Sequence, residues 1–297
     1  MTPRHFLEAD DLSSDELSAV LRLAELQPAP QVLSGKGVAL LFEKPSARTR
    51  NSSEMATFQL GGHPVAIRNE EVGLDQRETV EDVALTLGQY HAVIGARVFD
   101  HKVLERLAAA SPVPVINLLS DLAHPCQALA DLLTLQQHFG DVSGRAIAWI
   151  GDGNNVCRSL LLAASLSGIS IRIACPPGYE PDPAAVGIAR DRGATVVLTD
   201  DPAAAVSGVD AVCTDVWTSM GQEVEATDRR ASFARYTVDE RLMARAAGDA
   251  VFLHCLPAHR GEEVTAGVID GPQSLVWPQA QNRMHAFRGL LLWLSGA

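Results

Sequence analysis

Two hydroxyls and two guanidiniums sit together in Phe42-Glu-Lys-Pro-Ser-Ala-Arg-Thr-Arg50, directly after the apolar run Gly37-Val-Ala-Leu-Leu-Phe42. The run reads as a buried strand, and Met55, Phe58 and Leu60 behind it are spaced as on a helix. Pro45 marks a turn, and Ser46 suits the N-cap of the helix. A helix start offers unpaired N–H groups and a partial positive charge. Arg48 and Arg50 add forked donors that match phosphate oxygens two at a time. The pattern predicts a phosphate seat at the carboxyl end of a strand. On this stretch alone, a capped surface helix with solvated arginines fits equally well.

The other reactive side chains also follow apolar runs. Arg97 ends 92–98, and His124-Pro-Cys-Gln127 comes after 113–118. Gly151-Asp-Gly-Asn-Asn155 follows 146–150, Asp215-Val-Trp-Thr-Ser-Met-Gly221 closes 211–217, and His254-Cys-Leu-Pro-Ala-His-Arg260 closes 250–256. Singly, each has a plain structural reading. His124 before Pro125 is a helix cap, Asp215 a turn residue, Cys255 a core thiol, Met220 packing and Arg283 a solvated helix position. Together they predict one crevice, because parallel α/β sheets bind ligands beyond the carboxyl ends of their strands.

The elements that must position these groups alternate along the chain. Strands are predicted at 37–42, 64–67, 92–98, 113–118, 146–150, 169–175, 194–199, 211–217, 250–256 and 274–277. Helices are predicted at 12–27, 48–60, 79–89, 101–110, 125–139, 155–168, 183–192, 238–247 and 279–294, with 218–236 a long functional loop. Such alternation implies an α/β fold of two doubly wound parallel-sheet domains, divided near 138–145 where the strand pattern restarts. The length of 297 residues agrees with two domains at roughly 150 residues each.

A formal charge of −12 argues against a nucleic-acid partner, which a basic surface would be needed to hold. No run approaches the about 20 apolar residues of a membrane helix. The acidic N-terminus has no apolar signal core, so a cytoplasmic location is expected. Cys126, Cys157, Cys175, Cys213 and Cys255 form no CxxC pair and no metal-ligand spacing, and read as reduced thiols.

At these motifs the chain resembles the ornithine carbamoyltransferases, within the aspartate/ornithine carbamoyltransferase family. Ser46-Ala-Arg-Thr-Arg50 is similar to the family's Ser-Thr-Arg-Thr-Arg, and His124-Pro-Cys-Gln127 to its His-Pro-x-Gln. Asp215 with Ser219-Met220-Gly221 resembles the ornithine loop, and His254-Cys-Leu-Pro257 the Cys-Leu motif. The likeness runs from His5-Phe-Leu7 to Asn282-Arg-Met-His285.

The resemblance implies transfer of the carbamoyl group of carbamoyl phosphate to the δ-amine of L-ornithine, giving L-citrulline and phosphate. It implies that Ser46, Ala47, Arg48, Thr49, Arg97, His124, Gln127, Cys255, Leu256 and Arg283 hold carbamoyl phosphate. Asn155, Asp215, Ser219 and Met220 would hold ornithine, and Cys255, Arg97, His124 and Asp215 would be catalytic. It also implies no cofactor, no metal and a homotrimer. The carbamoyl-phosphate domain would be 1–138 with the returning C-terminal helix 279–297, and the ornithine domain 144–278.

The chain departs from the family at Ala47, where threonine is usual, and at Gly73, where a glutamine usually reaches the neighbouring subunit. A carbamoyltransferase for putrescine or N-acetylornithine is the nearest alternative, and the Asp215, Ser219, Met220 set favours a free α-amino acid over both. A ligand-binding relative without turnover is opposed by Arg48, Arg97, His124, Gln127 and Cys255. A dinucleotide-dependent dehydrogenase is opposed by Val156 at the third glycine position and by Cys175 where an acid is needed.

Overall fold

The computed structural model describes residues 3–218 and 226–296. Its chain divides into two compact units, one holding the segment up to Leu133 together with the chain from Gln281, the other Thr134–Ala280.

In the first unit the strands β1 (Gly37–Phe42), β2 (His63–Arg68), β3 (His91–Arg97) and β4 (Val115–Leu119) form a parallel sheet in the order β2-β1-β3-β4. Ala39, Leu41, Ile94 and Ala96 meet Val80, Val83, Ala84 and Leu87 of helix Val80–Tyr90 and Leu104 and Leu107 of helix His101–Ala110. Burial of these side chains at about 25 cal/mol per Å² of apolar surface is the main force holding the sheet to its helices. The chain leaves β1 toward β2 on one side, and β3 leads to β4 on the other. The order therefore reverses between β1 and β3, and their last residues, Phe42 and Arg97, are register partners. That pairing is why a side chain from β3 can meet the loop after β1.

In the second unit β5 (Ala146–Ile150), β6 (Ser170–Ala174), β7 (Val196–Thr199), β8 (Ala211–Thr214) and β9 (Val251–His254) form a parallel sheet ordered β7-β6-β5-β8-β9. Its core includes Ile150, Val212, Trp217, Phe233, Tyr236, Phe252 and Val264. Ile150 pairs with Thr214 and Thr214 with His254, so β5, β8 and β9 stop in line. Here too the order reverses, between β5 and β8. The next residues, Gly151, Asp215 and Cys255, leave the sheet side by side.

The C-terminal helix Val276–Leu294 includes Arg283 and Arg288, which belong to the first unit. Arg288 donates from Nη1 to Gln59 Oε1 at 2.8 Å, and Gly289 lies against the backbone of the helix Ser14–Ala24. The return of this helix to the first unit is as the resemblance implied.

Three expectations are corrected. Residues 274–277 are not a strand: Ser274 makes a single bridge to Phe252, and Val276 already opens the last helix. Pro278 is tolerated there because the N–H groups of a first helical turn have no partner to lose. The stretch 238–247 keeps only a short helix, Glu240–Met243, capped by Asp239. Within 218–236, Ala226–Phe233 is helical, because Phe233 and Arg229 are buried and give an apparently polar stretch an inner face.

Candidate active site

In the first unit Ser46 caps the helix Ala47–Gln59. Its Oγ accepts the Thr49 N–H at 3.3 Å and lies 3.1 Å from Thr49 Oγ1. Arg97, buried at the end of β3, donates from Nη1 to Thr49 Oγ1 at 3.2 Å. Ala47 and Arg48 occupy the exposed first turn, whose N–H groups have no intrahelical acceptor. Arg50 instead turns back to Glu54, Nε to Oε1 at 2.7 Å, and is a surface ion pair rather than a second phosphate fork. Ala47 removes one hydroxyl from this turn, and a single neutral hydrogen bond is worth about 1 kcal/mol.

His124 immediately precedes the helix Pro125–Phe139, and Gln127 lies one turn on. Both are buried with Arg283 from the C-terminal helix. Arg283 Nη1 donates to Gln127 Oε1 at 2.6 Å and lies 3.3 Å from His124 Nε2. Gln127 Nε2 donates to Asp131 Oδ1 at 2.7 Å, which fixes the amide's orientation. Burial first, then the charges of Arg283 and Arg97, hold the His124 imidazole well below its ordinary titration range. It stays neutral, and since arginine can only donate, Nε2 accepts and the proton sits on Nδ1. The group is thus a dipole surrounded by fixed cations.

In the loop carrying the Gly73 departure, Gly73 has φ +60° and ends the short helix Asn69–Val72. Arg77 Nη1 donates to the Glu71 carbonyl at 3.2 Å within the same loop.

In the second unit Asp215 is buried just past β8. Its Oδ1 accepts the Cys255 thiol at 2.9 Å and the Val216 N–H at 2.7 Å, and its Oδ2 accepts Asn154 Nδ2 at 2.9 Å. Asn154 also caps the helix Asn155–Leu166, its Oδ1 accepting Val156 N at 3.0 Å and Cys157 N at 3.1 Å. One amide therefore spans a helix start and a carboxylate. Asn155, the first helical residue, is half-buried beside it. Ser219 and Met220 lie outside the described residues.

Leu256 has φ +58°, a left-handed conformation that costs a branched residue about 1–2 kcal/mol. Its N–H donates to His254 Nδ1 at 2.8 Å, and His254 Nε2 lies 3.1 Å from Glu263 Oε1. His254 N donates in turn to Gln279 Oε1 at 2.9 Å. Nearby, Arg229 pairs with Asp152 and packs 4.8 Å from the Tyr179 ring. Burial pushes the Asp152 carboxyl up to about 6, the Arg229 charge opposing it and that of Asp215 adding to it.

Among the described residues, two sets of side chains bring potential metal-ligating atoms within 4.8 Å of one another, Asp215 with His254 and Cys255, and His259 with Glu262 and Glu263. Both His254 nitrogens already serve Leu256 and Glu263, so the first set is committed to hydrogen bonds.

The structure thus gathers Ser46, Thr49 and Arg97 at one switch point. It places His124, Gln127 and Arg283 together, and Asn155, Asp215, Cys255 and Leu256 at the strand ends of the second sheet. Asn154, Asp131, Asp152, Arg229 and Glu263 were not singled out from sequence. Asn154 and Asp152 stood inside a motif already noted, whereas Arg229 had no signal in the charged run Thr227-Asp-Arg-Arg230.

Residues 4–137 match the family description "Aspartate/ornithine carbamoyltransferase, carbamoyl-P binding domain". Residues 143–294 match "Aspartate/ornithine carbamoyltransferase, Asp/Orn binding domain". The ornithine carbamoyltransferase of Mycolicibacterium paratuberculosis is 50% identical over 99% of this chain and 98% of its own length. That of Acidothermus cellulolyticus is 48% identical, covering 99% and 97% respectively. The solved ornithine carbamoyltransferase from Pyrococcus furiosus superposes with a TM-score of 0.95 at 43% identity, over 100% of this chain and 98% of that one. With both halves matched and near-identical folding along the whole length, the chain belongs to the aspartate/ornithine carbamoyltransferase family.

Proposed function

We propose that the chain transfers the carbamoyl group of carbamoyl phosphate to the δ-amine of L-ornithine, forming L-citrulline and phosphate. The reading rests above all on the buried Asp215 carboxylate, which Asn154 holds on one oxygen and the Cys255 thiol meets on the other. A fixed carboxylate beside a thiol is suited to gripping an ammonium and to receiving a proton from an attacking amine.

In this scheme the first unit and the returning helix bind carbamoyl phosphate. The N–H groups after Ser46, with Arg48, Thr49 and Arg97, take the phosphate, and the positive charge there eases its departure. His124, Gln127 and Arg283 surround the carbamoyl oxygen. As the carbon becomes tetrahedral, that oxygen gains negative charge, and preset donors stabilise it without reorganising. Asn155, Asp215, Ser219 and Met220 hold the α-carboxylate and α-ammonium of ornithine. Its δ-amine loses a proton toward Cys255 and Asp215, and the Leu256 carbonyl accepts from the carbamoyl nitrogen. No covalent enzyme intermediate is needed, and most of the rate comes from placing two substrates and from electrostatics.

We place the protein in the cytoplasm, in arginine formation, as a homotrimer. The exposed Phe58 and Tyr90, 66% and 72% accessible, border one surface hollow together with His63 and Val65 of the edge strand β2 and support contact with further copies. Among the described residues no helix is long and apolar enough to cross a membrane.

Side-by-side assays with ornithine, putrescine and N-acetylornithine test the substrate. Citrulline formation should be fastest by far, and quicker turnover of either other amine would overturn the assignment.

A further inference from the structure

The reaction scheme leaves His254 and Glu263 without a role, although both are almost wholly enclosed, at 1% and 0% accessibility. Placing a carboxylate inside a protein is costly unless its charge is used. Glu263 Oε1 serves two donors, His254 Nε2 at 3.1 Å and the His259 N–H at 2.6 Å. On the opposite side of the imidazole, Nδ1 takes the Leu256 N–H at 2.8 Å. A backbone N–H can only donate, so Nδ1 is bare and the proton belongs on Nε2, facing the carboxylate. Glu263 therefore selects the one tautomer able to hold Leu256.

That bond falls on the residue where the backbone is strained. Leu256 stands at φ +58°, between the Cys255 thiol and the exposed Pro257. Strained non-glycine residues persist where their surroundings over-determine them. We infer that His254, locked by Glu263, is a positioning residue for transfer: it fixes the left-handed turn that presents the Cys255 thiol and the Leu256 carbonyl to the substrates. This rests on the carbamoyltransferase reading and adds to it two residues that touch neither substrate.

Two substitutions separate positioning from simple filling of the core. His254→Asn puts an amide oxygen near the place of Nδ1, keeping an acceptor for Leu256 while losing the link to Glu263. His254→Gln puts an amide nitrogen near the place of Nε2, keeping that link while leaving the Leu256 N–H without its acceptor. A misplaced reacting group costs about 100-fold in rate. His254→Gln should lose on the order of 100-fold in kcat with the ornithine KM little changed. His254→Asn should stay within about 10-fold of the parent. Equal losses in both, or none in either, would overturn the inference.

Imidazole nitrogen NMR of the unaltered protein gives a readout that needs no variant to fold. It should show Nδ1 unprotonated and Nε2 protonated for His254; a proton on Nδ1 overturns the inference. If the unaltered protein releases no citrulline, the transferase reading fails by itself, and the NMR result still decides the tautomer.

Discussion

The first-turn arginine, Arg48, is exposed at the helix start, next to a Thr49 hydroxyl that Arg97 already holds. A hydrogen bond to a charged group is worth about 1.5–3 kcal/mol, so Arg48→Ala should raise the carbamoyl-phosphate KM roughly 10- to 150-fold. Steady-state kinetics at saturating ornithine measure this, and near-normal values would show the phosphate seat is misplaced. Asn154→Asp keeps the oxygen that caps the helix but sets a second carboxylate against Asp215. Repulsion between like charges should raise the ornithine KM by 10-fold or more, roughly, with little change for carbamoyl phosphate. At this scale the sequence was most legible where a motif names chemistry, as at Asp215 and Cys255. It was least legible where neighbours share a type. Asn154 and Asn155 are indistinguishable by composition, and only the fold shows that Asn154 bridges the helix cap and the carboxylate.

Elements were legible because strand ends are defined by where apolar runs stop. Apart from Arg283 on the C-terminal helix, the reactive groups sit at the last residue of β3, just past β1, β5, β8 or β9, or at the helix start that follows β4. The sequence runs predicted for β8 and β9 were longer than the strands, and the difference falls where the proposed site residues lie: Asp215 and Cys255 are the first residues outside the sheet. Misread segments were those whose inner face is set by distant packing, such as Ala226–Phe233 against the second unit's core. The helix Ala47–Gln59 tests how much a cap matters. Ser46→Ala removes the acceptor for Thr49 N and should cost about 1 kcal/mol of stability. Because Thr49 also receives Arg97, phosphate affinity should fall with it, as calorimetric titration with carbamoyl phosphate would register.

Over the whole molecule, His124 and three half-buried histidines couple stability to acidity. Burial holds His124 well below its usual range, and His5, His91 and His285 are lowered in the same sense. Unfolded, each titrates near about 6.5. Below that pH the unfolded chain binds more protons than the folded one, so stability falls as pH falls, by up to about 1.4 kcal/mol per pH unit for each group. Urea midpoints measured from about pH 7.5 down to 5.5 should decline, and His124→Gln should make the decline shallower. The trimer proposal predicts a solution mass near three times 31.7 kDa by light scattering, and Phe58→Glu should lower it.

Four of the five cysteines are enclosed, and Cys255 is the partly accessible one. Burial pushes the Cys126 thiol up to about 12 and raises Cys157 and Cys175 as well, which makes them unreactive as well as unreachable. A chromogenic disulfide reagent should therefore count one group per folded chain and five once denatured. With Cys255 at the proposed transfer centre, the difference makes that centre its own occupancy gauge: ornithine analogues that shield this sulfur should slow the single early phase of colour and leave the final total unchanged.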